Sequence, residues 1–171
     1  MRLQNGFTLV ELLVTVVIMG ILMSISAPSF QAIILGARLT STSNAMVSAL
    51  QLARSESIKQ HITVIVEPLS GAWKNGWQVF VDVNANGTYD SATDTLLTTF
   101  DTLSSSITVK SSFNGSISYE PTGRVPLALN SDLTFCSNTA NQDFRTVIIS
   151  LTGRVRVETA SNSGRTYATS C

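Results

Sequence analysis

Charged side chains are scarce in this 171-residue chain. Asp, Glu, Lys and Arg together make up 13% of the residues, and the formal net charge at pH 7 is zero. A neutral chain carries no global electrostatic signal for a polyanion, so an anionic partner would have to be bound by a local patch of charge. The single histidine and the two cysteines are too few to form a recognisable set of metal ligands.

Catalytic motifs are equally scarce. His61 has no positioned Ser, Cys or Asp partner in the sequence, and the glycines form no phosphate-binding loop. We therefore expect no enzyme activity and no cofactor, and we expect His61 to lie at a helix–strand junction. Trp73 and Trp77 flank a Lys-Asn-Gly turn, and packing in the core is favoured over stacking on a nucleic-acid base.

The N-terminal part of the chain holds a long apolar run. Residues 7–27, FTLVELLVTVVIMGILMSISA, contain one ionisable side chain, Glu11. About 20 apolar residues are enough to cross a bilayer as a helix. In a secretory signal peptide the small residue for cleavage follows the apolar run, whereas here Gly6 precedes it. This order predicts cleavage ahead of the helix, with the helix retained.

The string GFTLVELLV, residues 6–14, resembles the class III signal of type IV pilins and pseudopilins. The resemblance implies cleavage of the leader, residues 1–6, by a prepilin peptidase and N-methylation of Phe7. It assigns an assembly role to Glu11 and a helix kink to Pro28. It also implies a single-pass inner-membrane protein with a periplasmic head, which becomes part of an extracellular pilus together with other major and minor pilins.

Glu11 is the one charge in the apolar run. A carboxylate inside a bilayer is costly, which makes it a functional residue by default. The resemblance implies that it pairs with the amino group of Phe7 on a neighbouring subunit. The alternative is a glutamate near the helix end that reaches the lipid headgroups.

The helix is expected to continue beyond the apolar run. One apolar stripe at helical spacing should pack on the following domain: Leu39, Met46, Ala49, Leu50 and Ala53. The segment SALQLARSESIKQ, residues 48–60, resembles the GspH/FimT family of pilin-like proteins. We divide the helix into a transmembrane and assembly half, residues 7–34, and an amphipathic half, residues 35–60.

From about residue 62 the pattern changes to the period of two that is typical of strands. Eight short segments have this pattern: ITVIVEP, GWQVFVD, TLLTTF, SITVKS, SISYEP, DLTFCS, RTVIISL and GRVRVE. The predicted fold class is α+β and pilin-like, with a long N-terminal helix packed on an antiparallel β head, residues 61–171. The tetrapeptide TGRV occurs at residues 122–125 and 152–155, which predicts two similar hairpin turns.

The two cysteines, Cys136 and Cys171, would lie outside the cytoplasm in a pilin-like head, where disulfides persist. A bridge between them would hold down the end of the chain. It would enclose a loop on the order of 35 residues, which corresponds to roughly 3–4 kcal/mol in the chain-entropy model.

A possible calcium loop occurs at residues 82–90, DVNANGTYD. Asp82, Asn84, Asn86 and Asp90 resemble the first half of an EF-hand loop, but Thr93 stands where a bidentate Glu is required. We favour an ordinary hairpin, because Asn-Gly is a strong turn signal. Calcium remains the weaker alternative.

Charge is unevenly distributed along the head. Residues 67–143 contain eight acidic and three basic side chains, whereas residues 145–171 contain four arginines and one acid, Glu158. Arg154 and Arg156 should project from one face of a strand, about 7 Å apart. Arginine binds phosphate through two hydrogen bonds, so these residues are candidates for an anion site. The alternative is that they are solvated or pair with neighbouring acids, Glu158 among them.

The string GRVR resembles the Gly-Arg-x-Arg motif of FimT-type minor pilins. The resemblance implies binding of extracellular DNA, through phosphate and without sequence preference, during natural transformation. Gly153, Arg154 and Arg156 match the motif, and Arg145 and Arg165 extend the basic region. Two alternatives stay open: a FimU-like minor pilin that primes assembly at the pilus tip, and a GspH-type pseudopilin of a type II secretion system.

Overall fold

A computed structural model describes residues 6–113, 115–126, 131–138 and 143–159, and for residues 24–30 it describes the backbone alone. The chain divides into two compact units, Met1–Gly36 and Ala37–Cys171. We refer to the second unit as the head. The side chain of Pro28 is not among the described ones, so the kink expected there stays a prediction. Cys171, one partner of the predicted disulfide, lies outside the described residues.

A single helix, α1 (Leu9–Gln60), is 52 residues long. Its N-terminus is a capping box, because the Glu11 amide donates to Thr8 Oγ1 at 3.3 Å while Glu11 Oε2 accepts the Thr8 amide at 3.0 Å. The helix ends at Gln60, and the next residue, His61, has a left-handed φ of 56°, as is common for the residue that follows a helix. His61 therefore lies at the helix–strand junction, as predicted.

The first unit presents apolar side chains to its surroundings. Every large apolar residue between Phe7 and Met23 is 48–86% exposed. Within the described part of the chain, no helix combines the length and the apolarity needed to cross a membrane.

The head contains eight strands, and each coincides with one of the eight predicted segments. They are β1 (Val64–Pro68), β2 (Trp77–Val81), β3 (Thr95–Phe100), β4 (Ile107–Ser111), β5 (Ile117–Tyr119), β6 (Ser131–Ser137), β7 (Phe144–Ile149) and β8 (Val155–Thr159). The strands form two four-stranded sheets, with the order β3-β2-β1-β5 in the first and β4-β6-β7-β8 in the second. All paired neighbours are antiparallel, so the predicted α+β fold class is confirmed.

One core joins the second half of α1 to both sheets. All five residues of the predicted helical stripe are at most 6% exposed and belong to this core. Every core residue lies at or after Leu39, so the head has a complete core of its own. Trp77 stacks on Phe100 with ring centroids 4.2 Å apart, and both predicted tryptophans are buried. Burying such apolar surface is the main stabilising contribution to a fold of this kind.

Candidate functional site

The β7–β8 connection is a tight turn with a three-residue loop. The Gly153 amide donates to the carbonyl of Ser150 at 2.8 Å, and the Ser150 amide donates to the carbonyl of Arg154 at 3.0 Å. Gly153 has a φ of 74°, which is the left-handed conformation that this type of hairpin requires at the end of its loop. The sequence therefore places Gly at the position where the backbone needs it and Arg directly after it.

The side chain of Ser150 fixes the backbone of Arg154. Its hydroxyl lies 3.1 Å from the Arg154 carbonyl and 3.1 Å from the Arg154 amide, and 2.9 Å from the hydroxyl of Thr152. Each of these contacts is local to the turn. Arg154 therefore leaves the turn from a rigid base, while its side chain is exposed.

A second turn, residues 120–124, repeats the first in geometry as well as in sequence. The Gly123 amide donates to the Glu120 carbonyl at 2.8 Å, and the Glu120 amide donates to the Arg124 carbonyl at 2.9 Å. The φ of Gly123 is 73°. The prediction of two similar hairpin-type turns from the repeated TGRV agrees with this geometry, although the second turn follows β5 in the other sheet.

The two turns touch each other. The Val125 amide donates to the carbonyl of Leu151 at 3.2 Å. A Cβ added to Gly153 would overlap the carbonyl oxygen of Gly123 and would lie 3.0 Å from Cε1 of Tyr119. Gly153 is thus required by close approach as well as by its φ. We call this pair of turns, residues 120–124 and 150–154, the twin turn.

Arg54 of α1 supports the twin turn from the helix side. Its Nη2 donates to the carbonyl of Thr152 at 2.9 Å, and its Nε is buried with no hydrogen-bond partner among the residues that the structure describes. The Tyr119 hydroxyl lies 3.5 Å from the Gly153 carbonyl oxygen. Burial raises the pKa of this hydroxyl, and the positive charge of Arg54 acts in the opposite direction.

Arg154 and Arg156 lie where the sequence predicted, on one face at the hairpin. Both line a cleft of about 200 Å³, together with Ile148, Ser150 and Thr152. Among the described residues, the Arg154 guanidinium pairs with no carboxylate. Arg156 Nε, in contrast, lies 3.0 Å from Glu158 Oε1. Arg156 therefore pairs with a neighbouring acid, which was one of the alternatives, and the anion site at Arg154 stays a prediction.

Arg145 lies apart from this pair. It shares a face of β7 with Val147 and Ile149, which belong to the core, and its Nη1 donates to the carbonyl of Phe144 at 2.9 Å. Its partner in the register is Thr159, at the end of β8 away from the turn. The structure does not bring Arg145 together with the Arg154–Arg156 pair. Arg165 lies outside the described residues.

The residues predicted for processing and assembly lie at the start of the chain. Gly6 and Phe7 precede the helix, and Phe7 is 86% exposed. Glu11 Oε2 also accepts the hydroxyl of Thr8 at 2.9 Å, in addition to its capping contact. Glu11 therefore has a local partner within its own subunit, which the sequence analysis missed although T-x-x-E is a recognisable capping signal.

Cys136 lies on β6 and is fully buried. Its predicted partner, Cys171, is outside the described residues, so the disulfide stays a prediction.

The loop between β2 and β3, residues 82–94, is longer than a two-residue Asn-Gly hairpin. The carboxylate of Asp82 accepts the amides of Asn86 at 3.1 Å and Gly87 at 3.0 Å. Asp94 accepts the amides of Val83 at 3.0 Å and Asp90 at 2.8 Å. These carboxylates thus organise the loop backbone, and the part of the chain that is described contains no cluster of three or more acidic, His or Cys side chains suited to a metal ion.

The sequence analysis did not connect two further arginines with the twin turn: Arg54, which contacts it, and Arg124, which is part of it. Arg54 lies within the family-like string SALQLARSE, but nothing local indicates that it reaches a turn 98 positions away. Arg124 did carry a signal, since it occupies the same place in its TGRV as Arg154 does in the other.

Comparisons with known proteins agree with this architecture. Two crystal structures of the type IV minor pilin FimU from Pseudomonas aeruginosa strain PAO1 superpose with TM-scores of 0.59 and 0.58 at 21% sequence identity. Each match covers 72% of this chain, and they cover 92% and 98% of the FimU chains. At this identity the likeness establishes the fold. No curated protein matches the sequence.

Two family models match the chain directly. The prokaryotic N-terminal methylation motif matches residues 1–27, and the model described as type II transport protein GspH matches residues 42–153. The second match spans more than half of the chain and includes both turns of the twin turn up to Gly153. The protein therefore belongs to the GspH family and is a minor type IV pilin or pseudopilin.

Proposed function

We propose that this subunit is a FimT-like minor pilin that binds extracellular DNA at the β7–β8 turn and promotes DNA uptake in natural transformation. The role requires binding and assembly, with no catalysis. The observation that carries the proposal is the exposed guanidinium of Arg154 beside Arg156, on a face that also presents the hydroxyls of Ser150 and Thr152. These are the donor types that bind phosphate oxygens.

Local charge supports the proposal despite the neutral chain. Arg154 has no carboxylate partner among the described residues, and a phosphate could replace Glu158 as the partner of Arg156. Such contacts go to the backbone of the nucleic acid, so little sequence preference is expected. One subunit offers few arginines and should bind weakly; several copies, or neighbouring subunits, would raise the affinity through avidity.

The test is a mobility shift with the isolated head and a labelled DNA oligonucleotide. We expect Arg154→Gln/Arg156→Gln to lower the affinity and to reduce the slope of log affinity against log salt by about 1.4–1.8, the value for two lost phosphate contacts. The matched control is Lys74→Gln/Lys110→Gln, which removes two exposed positive charges elsewhere on the head. Equal effects of both double variants, or no binding by the wild type at low salt, would reject the proposed site.

The second candidate is a FimU-like subunit that primes assembly at the pilus tip. The ion pair between Arg156 and Glu158 favours it, because it satisfies one of the two arginines within the head. A strain that carries Arg154→Gln/Arg156→Gln would then assemble pili normally and transform normally, whereas deletion of the subunit would reduce the number of pili. A pseudopilin of a type II secretion system would instead be revealed by a secretion defect on deletion.

The two pilus-subunit candidates share an assembly mechanism, which we include in the proposal. A prepilin peptidase removes residues 1–6, the new N-terminus is methylated, and the apolar segment holds the subunit in the inner membrane, with a periplasmic head, until other pilins incorporate it into an extracellular pilus. The exposed apolar side chains of residues 7–23 support this. Glu11→Ala should leave membrane fractionation unchanged and should impair incorporation into pili; normal incorporation would contradict the role of Glu11.

A further inference from the structure

We propose that Arg124 contacts the DNA backbone together with Arg154, so that the anion-binding surface is the twin turn and not the β7–β8 hairpin alone. The inference rests on the proposed function and adds a binding residue to the same site. It starts from the repeated TGRV, whose first copy lies outside the Gly-Arg-x-Arg motif, in the turn that follows β5 of the other sheet.

Arg124 and Arg154 occupy equivalent positions in the two turns, and the two turns contact each other. Each directly follows a left-handed glycine, with φ values of 73° at Gly123 and 74° at Gly153. The glycines touch, so the Cα atoms of Arg124 and Arg154 lie within about 10 Å of each other, given the fixed spacing of consecutive Cα atoms. Measured along the axis of B-DNA, where each strand carries one phosphate per roughly 3.4 Å, that distance spans about three phosphates.

The Arg124 side chain is available for binding. It is exposed, and among the described residues its guanidinium makes no ion pair and no hydrogen bond. Its carbonyl is held by the Glu120 amide at 2.9 Å, so the backbone from which the side chain projects is fixed. Arg124 therefore matches Arg154 in exposure, in freedom from a carboxylate and in the rigidity of its base.

Positive charge exceeds negative charge around the twin turn. The nearby cations are Arg54, Arg124, Arg154 and Arg156. The carboxylates in the same segments are Glu56, which pairs with Lys59, Glu120, and Glu158, which pairs with Arg156. Arg54 is half-buried against the turn, with its Nε buried, and it has no carboxylate partner in the described part of the chain. A phosphate bound at the surface would therefore be attracted by the helix-side cation as well.

A fixed spacing between the two arginines has a thermodynamic advantage. Three kinds of contact hold both backbones in one arrangement. They are the hydrogen bonds inside each turn, the bond from the Val125 amide to the Leu151 carbonyl, and the bond from Arg54 Nη2 to the Thr152 carbonyl. Binding then has to order only the two side chains, because the loops are already placed. This arrangement suits a polymer with regularly spaced charges.

The experiment measures the affinity of the head for a labelled DNA oligonucleotide over a range of salt concentrations. The variants are Arg124→Gln, Arg154→Gln and their combination, with Lys110→Gln as the control for loss of one exposed charge on the far edge strand of the second sheet. If counterion release is complete, each lost phosphate contact should lower the affinity on the order of fifteenfold at 50 mM salt and fivefold at 150 mM salt. We expect Arg124→Gln to lower the affinity as much as Arg154→Gln does. The double variant should reduce the slope of log affinity against log salt about twice as much as either single variant.

The outcomes separate this inference from the proposed function. If Arg124→Gln behaves like Lys110→Gln while Arg154→Gln/Arg156→Gln loses binding, the inference is wrong and the proposed function stands. If the wild type does not bind, both fail. Arg124→Lys, which keeps the charge, should retain most of the affinity; loss of affinity in Arg124→Lys at an unchanged melting temperature would also overturn a simple phosphate contact.

Discussion

Replacing Gly153 by alanine adds one methyl group at the point where the two turns of the head meet. The backbone there has a φ of 74°, and the new Cβ would overlap the carbonyl oxygen of Gly123. Because that neighbour is backbone, it cannot move aside as a flexible side chain could. We expect the Gly153→Ala head to fold with the twin turn pushed apart.

The magnitude follows from two separate terms. A left-handed conformation costs an L-residue about 1–2 kcal/mol. Separating the turns weakens the hydrogen bond from Val125 to Leu151, worth about 0.5–1.5 kcal/mol, and strains the charged one from Arg54 to Thr152, worth about 1.5–3 kcal/mol. The free energy of unfolding should therefore fall by about 2–5 kcal/mol, depending on how far the turns relax.

Gly71→Ala is the matched control. Gly71 has the same φ of 74°, but a Cβ added there meets no atom within 4 Å. It should therefore lose only the conformational term, about 1–2 kcal/mol. Urea unfolding of both variant heads under oxidising conditions, monitored by circular dichroism, measures the difference between their free energies of unfolding. Equal losses in Gly153→Ala and Gly71→Ala would show that the turns do not approach as closely as described.

Three further predictions concern single side chains. Arg54→Met should lower the free energy of unfolding by about 1–2 kcal/mol, since the charged hydrogen bond to Thr152 is lost. Removal of the buried Nε, which has no partner in the described part of the chain, offsets part of this loss. Unfolding at the same urea concentration as the wild type would show that Arg54 does not support the turn. Glu158→Gln frees Arg156 at a cost of about 0.2–1 kcal/mol in stability and should tighten DNA binding in the mobility shift, so weaker binding would count against the proposed site. Asp82→Asn weakens the acceptor of two loop amides and should cost about 1–3 kcal/mol in a thermal melt, whereas a large stabilisation of the wild type by millimolar calcium would show that the carboxylate serves a cation instead.

The sequence predicted the elements of this fold because their signals are local. Period-two alternation marked all eight strands, and helical spacing marked the buried stripe from Leu39 to Ala53. The division into two sheets was not predictable in the same way. It depends on pairings such as β1 with β5, about 50 residues apart, which leave no trace in a short window of sequence.

The candidate site was predictable in part. The TGRV turn placed Arg154 and Arg156 together, but grouping Arg145 with them relied on charge and ignored strand parity, which puts Arg145 on the face of Val147. The contact of Arg54 with the Thr152 carbonyl joins a helix to a turn far along the chain, and only tertiary packing could reveal it.

The contact between Gly123 and Gly153 also limits how this head can be altered. Gly123 lies in the turn that follows β5 of the first sheet, and Gly153 lies in the β7–β8 turn of the second. The shape of the Gly-Arg-x-Arg hairpin therefore depends on a segment 30 positions earlier. A transplant of residues 150–156 into another pilin head would carry the arginines but not the surface against which they are held. To transfer the function, residues 119–125 and the arginine at position 54 would have to be moved as well. The functional unit therefore consists of three separate segments of the chain rather than one short peptide motif.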